Sequence, residues 1–72
     1  MSMEKTFETI YGKVTLRTAM IDTDGTNLSE GIEIKVNGKL QAEVLGTYIH
    51  IDDMTQEEVE SFVEEHVSEE EL

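Results

Sequence analysis

Within residues 13–21, 32–36 and 39–45 apolar and polar side chains alternate with a period of two, and from Met54 onward the apolar spacing becomes that of a helix. Residues 6–11 predict a short strand, and Gly12 predicts a turn or a bulge after it. Residues 13–21 predict a second strand, with Val14, Leu16 and Met20 on one face and Lys13, Thr15 and Arg17 on the other. A polar loop follows at residues 22–27, extended by residues 28–31. Residues 32–36 then alternate again, with Ile32, Ile34 and Val36 inward and Glu33 and Lys35 outward.

Asn37-Gly38 is the strongest hairpin signal in the chain. A two-residue loop there would set Ile34 opposite Gln41 and Val36 opposite Lys39, mixing apolar with polar on one face. A three-residue loop, Val36-Asn37-Gly38, sets Ile34 opposite Leu40 and Ile32 opposite Ala42, with Gly38 as the left-handed residue. That register agrees with the burial pattern and is the one expected. It places Leu40, Ala42 and Val44 inward, and Lys35, Lys39, Gln41 and Glu43 on the other face. Gly46 then breaks the parity, either as a turn into a fifth short strand or as a bulge in one long strand. Ile49 and Ile51 are expected inward after it.

Thr55-Gln56-Glu57-Glu58 has the form of a capping box, and Met54 and Val59 are spaced to staple across it. Val59, Phe62, Val63 and Val67 make an apolar stripe at helical spacing, with His66 expected near its middle as a partly buried filler. The predicted fold is therefore α+β. A four- or five-stranded antiparallel, mostly meander sheet has one C-terminal amphipathic helix packed on one face. The expected core is Val14, Leu16, Ile32, Ile34, Leu40, Ala42, Val44, Ile49, Ile51, Val59, Phe62 and Val63. Residues 1–67 are expected to form a single small domain. Residues 68–72 are expected to fray as an acidic tail, because Glu69, Glu70 and Glu71 oppose the negative end of the helix dipole.

The charge is lopsided, and this changes the picture most. Of the 17 acids in this 72-residue chain, ten lie in residues 52–72, which hold no Lys or Arg; the five bases all lie within the first 39 residues. A net charge of −12 repels nucleic acid and anionic membrane, so neither is an expected direct partner. It suits a basic protein partner or cations, and it equally serves solubility. No cysteine is present, which removes disulfides and thiolate metal sites. With no apolar run behind a basic start, no secretory signal is expected, and the cytoplasm is the simplest compartment.

Candidate chemistry is thin. Asp22-Thr23-Asp24-Gly25-Thr26-Asn27 invites a calcium reading, but starting the loop at Asp22 or at Met20 misplaces the glycine or the terminal ligands. A turn in which Asp and Asn bond their own backbone explains the same residues. His50 and His66, with Asp52, have no spacing that demands zinc. Ser61 and Ser68 fall on a solvated helix face away from His66, and no phosphate loop occurs, so no enzyme activity and no cofactor are expected.

The acidic helix remains the best functional candidate, through Asp52, Asp53, Glu57, Glu58, Glu60, Glu64 and Glu65. Carboxylates along one rod present a linear negative field of the kind that nucleic-acid-binding grooves accept. In size, charge and lack of catalytic motifs the chain resembles the small inhibitors encoded by phages and mobile elements that mimic nucleic acid, including anti-CRISPR and anti-restriction proteins. That resemblance is compositional and covers mainly residues 52–72. It implies a non-enzymatic inhibitor or modulator of a basic partner, nucleic-acid-handling proteins among them. The alternative is a structural or assembly module that pairs through a sheet edge, as a homodimer or with a peptide, its acidity serving solubility alone.

Overall fold

The computed structural model describes residues 3–46 and 50–67. The alternating segments pair as four antiparallel strands in chain order: β1 (Glu4–Thr9), β2 (Gly12–Asp22), β3 (Leu28–Val36) and β4 (Lys39–Leu45). A 3-10 turn at Ile51–Asp53 leads into one helix, α1 (Gln56–His66). The result is the expected α+β meander with a C-terminal helix, and among the described residues the sheet has four strands.

The ladder sorts the side chains by face. Leu16 pairs with Ile34 and Val14 with Val36, while Arg17 pairs with Glu33 and Thr15 with Lys35 on the other side. Val14, Leu16, Ile32, Ile34 and Val36 are buried under Val59, Phe62, Val63 and Val67, with Ile51 completing the cluster. Each such side chain contributes about 1.5–3 kcal/mol when fully removed from water. Phe7, Tyr11, Ala42, Val44 and Met54 close the margins.

Several expectations are corrected. The first strand begins at Glu4 and ends at Thr9, because Ile10 and Tyr11 form the turn. The Thr9 hydroxyl accepts from the Tyr11 N–H at 3.0 Å and donates to the Gly12 carbonyl at 2.9 Å, while Gly12 adopts φ 105°. Residues 28–31 are strand rather than loop, so β2 and β3 run on past β1 and β4 as a two-stranded arm. Met20 shares the face of Val14 and Leu16 but is 57% exposed. Ile21, on the other face, is buried instead. Its side chain lies over Gly31, where a Cβ would overlap both Ile21 and the Val44 carbonyl.

The β3–β4 hairpin shows how two signals were reconciled. The loop has two residues, with Asn37 at φ 54° and Gly38 at φ 86°, the mirror-image turn that matches strand twist. Val36 therefore pairs with Lys39 and Lys35 with Leu40. A bulge then absorbs Gln41 and sets Ile34 opposite Ala42 and Ile32 opposite Val44. The expected pairing of Ile34 with Leu40 does not occur. Leu40 lies on the outer face, 46% exposed, and Lys39 pairs on the helix side. Ala42 and Val44 are half-buried against the core, as their inward placement requires. Ile49 and the fifth strand fall at residues 47–49, outside the described residues. Ile51 is buried in the 3-10 turn.

The helix start is as predicted. The Thr55 hydroxyl accepts from the Glu58 N–H at 3.2 Å, and the Glu58 carboxylate accepts from the Thr55 N–H at 2.9 Å. The described helix ends at His66, with Val67 as its cap; the expected frayed tail lies outside the described residues. The His66 side chain is partly buried, 34% accessible, its ring edge-on to Phe62 with centroids 4.8 Å apart. Replacing Thr55 by Ala is expected to lower unfolding stability by about 1 kcal/mol. A shift of the urea midpoint with an unchanged slope is the measurement, and an unchanged midpoint contradicts it.

Candidate functional site

A helix turns about 100° per residue, so burying Val59, Phe62 and Val63 drives Glu57, Ser61 and Glu64 to the opposite side. All three are exposed, as are Asp52 and Asp53 on the preceding turn, Glu58 and Glu65. The Glu65 side chain is 72% accessible and lies 3.8 Å from His66. A shallow depression of about 680 Å³ lies along this flank, with Met54 and Phe62 below and Asp53, Glu57, Glu58 and Glu65 around it.

The seven predicted residues are not equivalent. Glu58 is committed to the cap. Glu60 is half-buried, and one carboxylate oxygen accepts from the Ile10 N–H at 2.9 Å and from the Gln56 side-chain amide at 3.1 Å. It ties the helix to the β1–β2 turn, a role that helical spacing alone could not reveal. Asp52 accepts from the Lys5 ammonium through its backbone carbonyl at 3.2 Å, and Lys5 also sits 5.1 Å from the Phe7 ring centroid. These bonds fasten opposite ends of β1 to successive parts of the acidic segment, so α1 runs in the same sense as β1. Glu57 and Glu64 have no ion-pair partner among the described residues. There Arg17 pairs with Glu33 at 3.5 Å on the far sheet face, and Glu65 lies 3.8 Å from the His66 imidazole. The negative charge of the helix is therefore exposed and uncompensated by Lys or Arg.

The other candidates resolve differently. In the β2–β3 loop, Asp24 is the centre of a turn. Its carboxylate accepts from the Thr26 N–H and hydroxyl, both at 3.0 Å, from the Asn27 N–H at 2.8 Å, and from the Asn27 side-chain amide at 3.1 Å. Asp22 accepts from the Gly25 N–H at 2.6 Å. The Thr26 and Asn27 backbone donors, followed by their side chains, lower the Asp24 pKa from 3.8 to about 2. Among the described residues, no three His, Asp or Glu side chains gather as a metal-binding group. Ser61 bonds to neither histidine. Among the described residues, the outer edge of β4 makes no hydrogen bond beyond its ladder with β3 and exposes Leu40 and Leu45, but the bulge at Gln41 and the charges of Lys39 and Glu43 interrupt it.

No protein-family model, curated protein or solved structure gives a significant match to this chain. Among the described residues, no helix is long and apolar enough to cross a membrane.

Glu60→Ala should cost about 1 kcal/mol by removing the Ile10 bond, whereas Glu64→Ala should be neutral or stabilising by about 0.2–0.5 kcal/mol through relief of the Glu60–Glu64 repulsion. Equal urea midpoints for the two variants would remove the structural role given to Glu60. The Asp24 pKa is depressed on folding, so the stability it lends is present above pH 3.8 and is lost as pH falls toward 2. Carboxyl-carbon NMR should show an Asp24 midpoint near 2, and an ordinary aspartate midpoint would contradict the bonded turn.

Proposed function

We propose that this chain is a non-enzymatic acidic binding protein. It docks the outer face of α1 and the preceding turn onto a basic protein partner and blocks or modulates that partner. The observation that carries the reading is the one-sided, uncompensated run of exposed carboxylates. Four exposed glutamates on an 11-residue helix about 16 Å long give roughly one charge every 4 Å, near the ~3.4 Å per charge along one DNA strand. A groove built for a phosphate strand meets a similar linear charge density here. The partner class is therefore a nucleic-acid-handling protein, and the setting is the cytoplasm. Glu57, Glu64, Glu65, Asp52 and Asp53 act through their field. Glu58 and Glu60 add charge while also holding the helix in place.

Such binding is dominated by charge, so it weakens steeply with salt. The test uses the protein as bait in host lysate at low and high salt, beside a variant carrying Glu57→Lys, Glu64→Lys and Glu65→Lys. These positions spare the cap and the Ile10 bond, so the fold should survive, as circular dichroism would verify. The expected result is a basic protein captured only at low salt and only by the unaltered chain, then released by duplex DNA. Capture that persists in the triple variant and at high salt would overturn the reading. Loss of that capture on placing proline in β4 would favour pairing through the sheet edge instead.

A further inference from the structure

The Asn37-Gly38 turn has chemistry that the docking reading does not use. Asn37 closes the β3–β4 hairpin and is also bolted to the neighbouring hairpin. Its Oδ1 accepts from the Lys13 N–H at 3.0 Å, its side-chain amide donates to the Tyr11 carbonyl at 3.4 Å, and its own N–H donates to the Lys13 carbonyl at 2.7 Å. The carboxamide lies flat against Gly12, where an added Cβ would fall 2.5 Å from Oδ1 and 3.0 Å from Cγ. Asn37 is also the only non-glycine residue at positive φ among those described.

We propose that Asn37 is a latent covalent modification site, shielded from deamidation while this corner is closed and converted when it opens. In the open chain the Gly38 backbone nitrogen gives its proton to a solvent base and attacks Asn37 Cγ. The new C–N bond closes a five-membered imide, the Cγ–Nδ2 bond breaks, and ammonia leaves. Water then opens either imide carbonyl, yielding aspartate or isoaspartate. Nothing is oxidised or reduced, and water is the only co-reactant. Glycine favours the attack because it has no side chain to shield its nitrogen and few limits on rotation.

The closed corner opposes each requirement. Cγ cannot reach the Gly38 nitrogen until the carboxamide leaves Lys13 and Tyr11 and the backbone rotates out of its left-handed turn. Conversion also prevents the corner from closing again. Aspartate aims an acceptor at the Tyr11 carbonyl where a donor stood, and isoaspartate lengthens the backbone and breaks the Val36–Lys39 register. Ile10, next to Tyr11, holds Glu60, so the damage reaches the anchor of α1.

The full chain is incubated in mildly alkaline buffer with and without unfolding urea, and conversion is followed by peptide mapping that separates asparagine, aspartate and isoaspartate. Asn27, the other asparagine, precedes Leu28 and serves as the internal reference. The expected result is ready conversion of Asn37 but not Asn27 in urea, with folded protein slower by about tenfold or more, since reaction through an opened state follows its population. Asn37→Asp should lower the thermal midpoint by about 4–8 °C or prevent folding. Equal rates with and without urea, or no conversion in urea, would overturn the shielding. A wild-type midpoint for Asn37→Asp would overturn the claim that conversion bars reclosure.

Discussion

Val59, Phe62, Val63 and Val67 buried against Val14, Leu16, Ile32, Ile34 and Val36 form the contact on which everything else rests. Neither side stands alone. An 11-residue helix is below the length at which isolated helices persist in water, and its glutamates repel one another. A four-stranded meander with one apolar face needs a cover. Burying four side chains contributes roughly 6–12 kcal/mol, against about 0.2–0.5 kcal/mol for each like-charged pair on the helix. The protein can therefore carry a repulsive outer surface because the inner one outweighs it by an order of magnitude.

Polar ties then select one arrangement of the packed layers. Lys5 to the Asp52 carbonyl and Ile10 to Glu60 hold the acidic segment along β1. Asn37 clasps Lys13 and Tyr11 and joins the two hairpins at the same end of the sheet. Individually these bonds are worth about a kilocalorie. Their effect is directional: they place the helix over the sheet with its carboxylates outward and its N-terminal turn close to β1.

The far face of the sheet has a different character. Glu4, Arg17, Glu33 and Glu43 lie in register across all four strands, with Arg17 paired to Glu33 in the middle. Charged side chains on the open face and a bulge on β4 discourage stacking or edge-to-edge association. The bases that the helix lacks are thus spent largely on the sheet, which preserves the imbalance read from the chain. On the strands Arg17 is ion-paired with Glu33, whereas the helix glutamates have no Lys or Arg ion-pair partner among the described residues.

What the chain alone determined was whatever depends on neighbours in sequence. Period-two alternation at Ile32, Ile34 and Val36 marked a strand, Thr55 and Glu58 marked the helix start, and the spacing of Val59, Phe62 and Val63 told which helix face is acidic. Tertiary structure decided what depends on distant partners. Turn geometry and burial pattern gave conflicting registers for Leu40; pairing with β3 keeps the two-residue turn, leaves Leu40 on the outer face and, through a bulge at Gln41, restores the inward placement of Ala42 and Val44. Ile21 became buried because Gly31 left room beneath it on the neighbouring strand. Glu60 and Asn37 gained structural roles from backbone groups 50 and 24–26 residues away. No local pattern encodes those meetings, because a hydrogen bond across the fold depends on how the layers dock, and docking is a property of the whole chain.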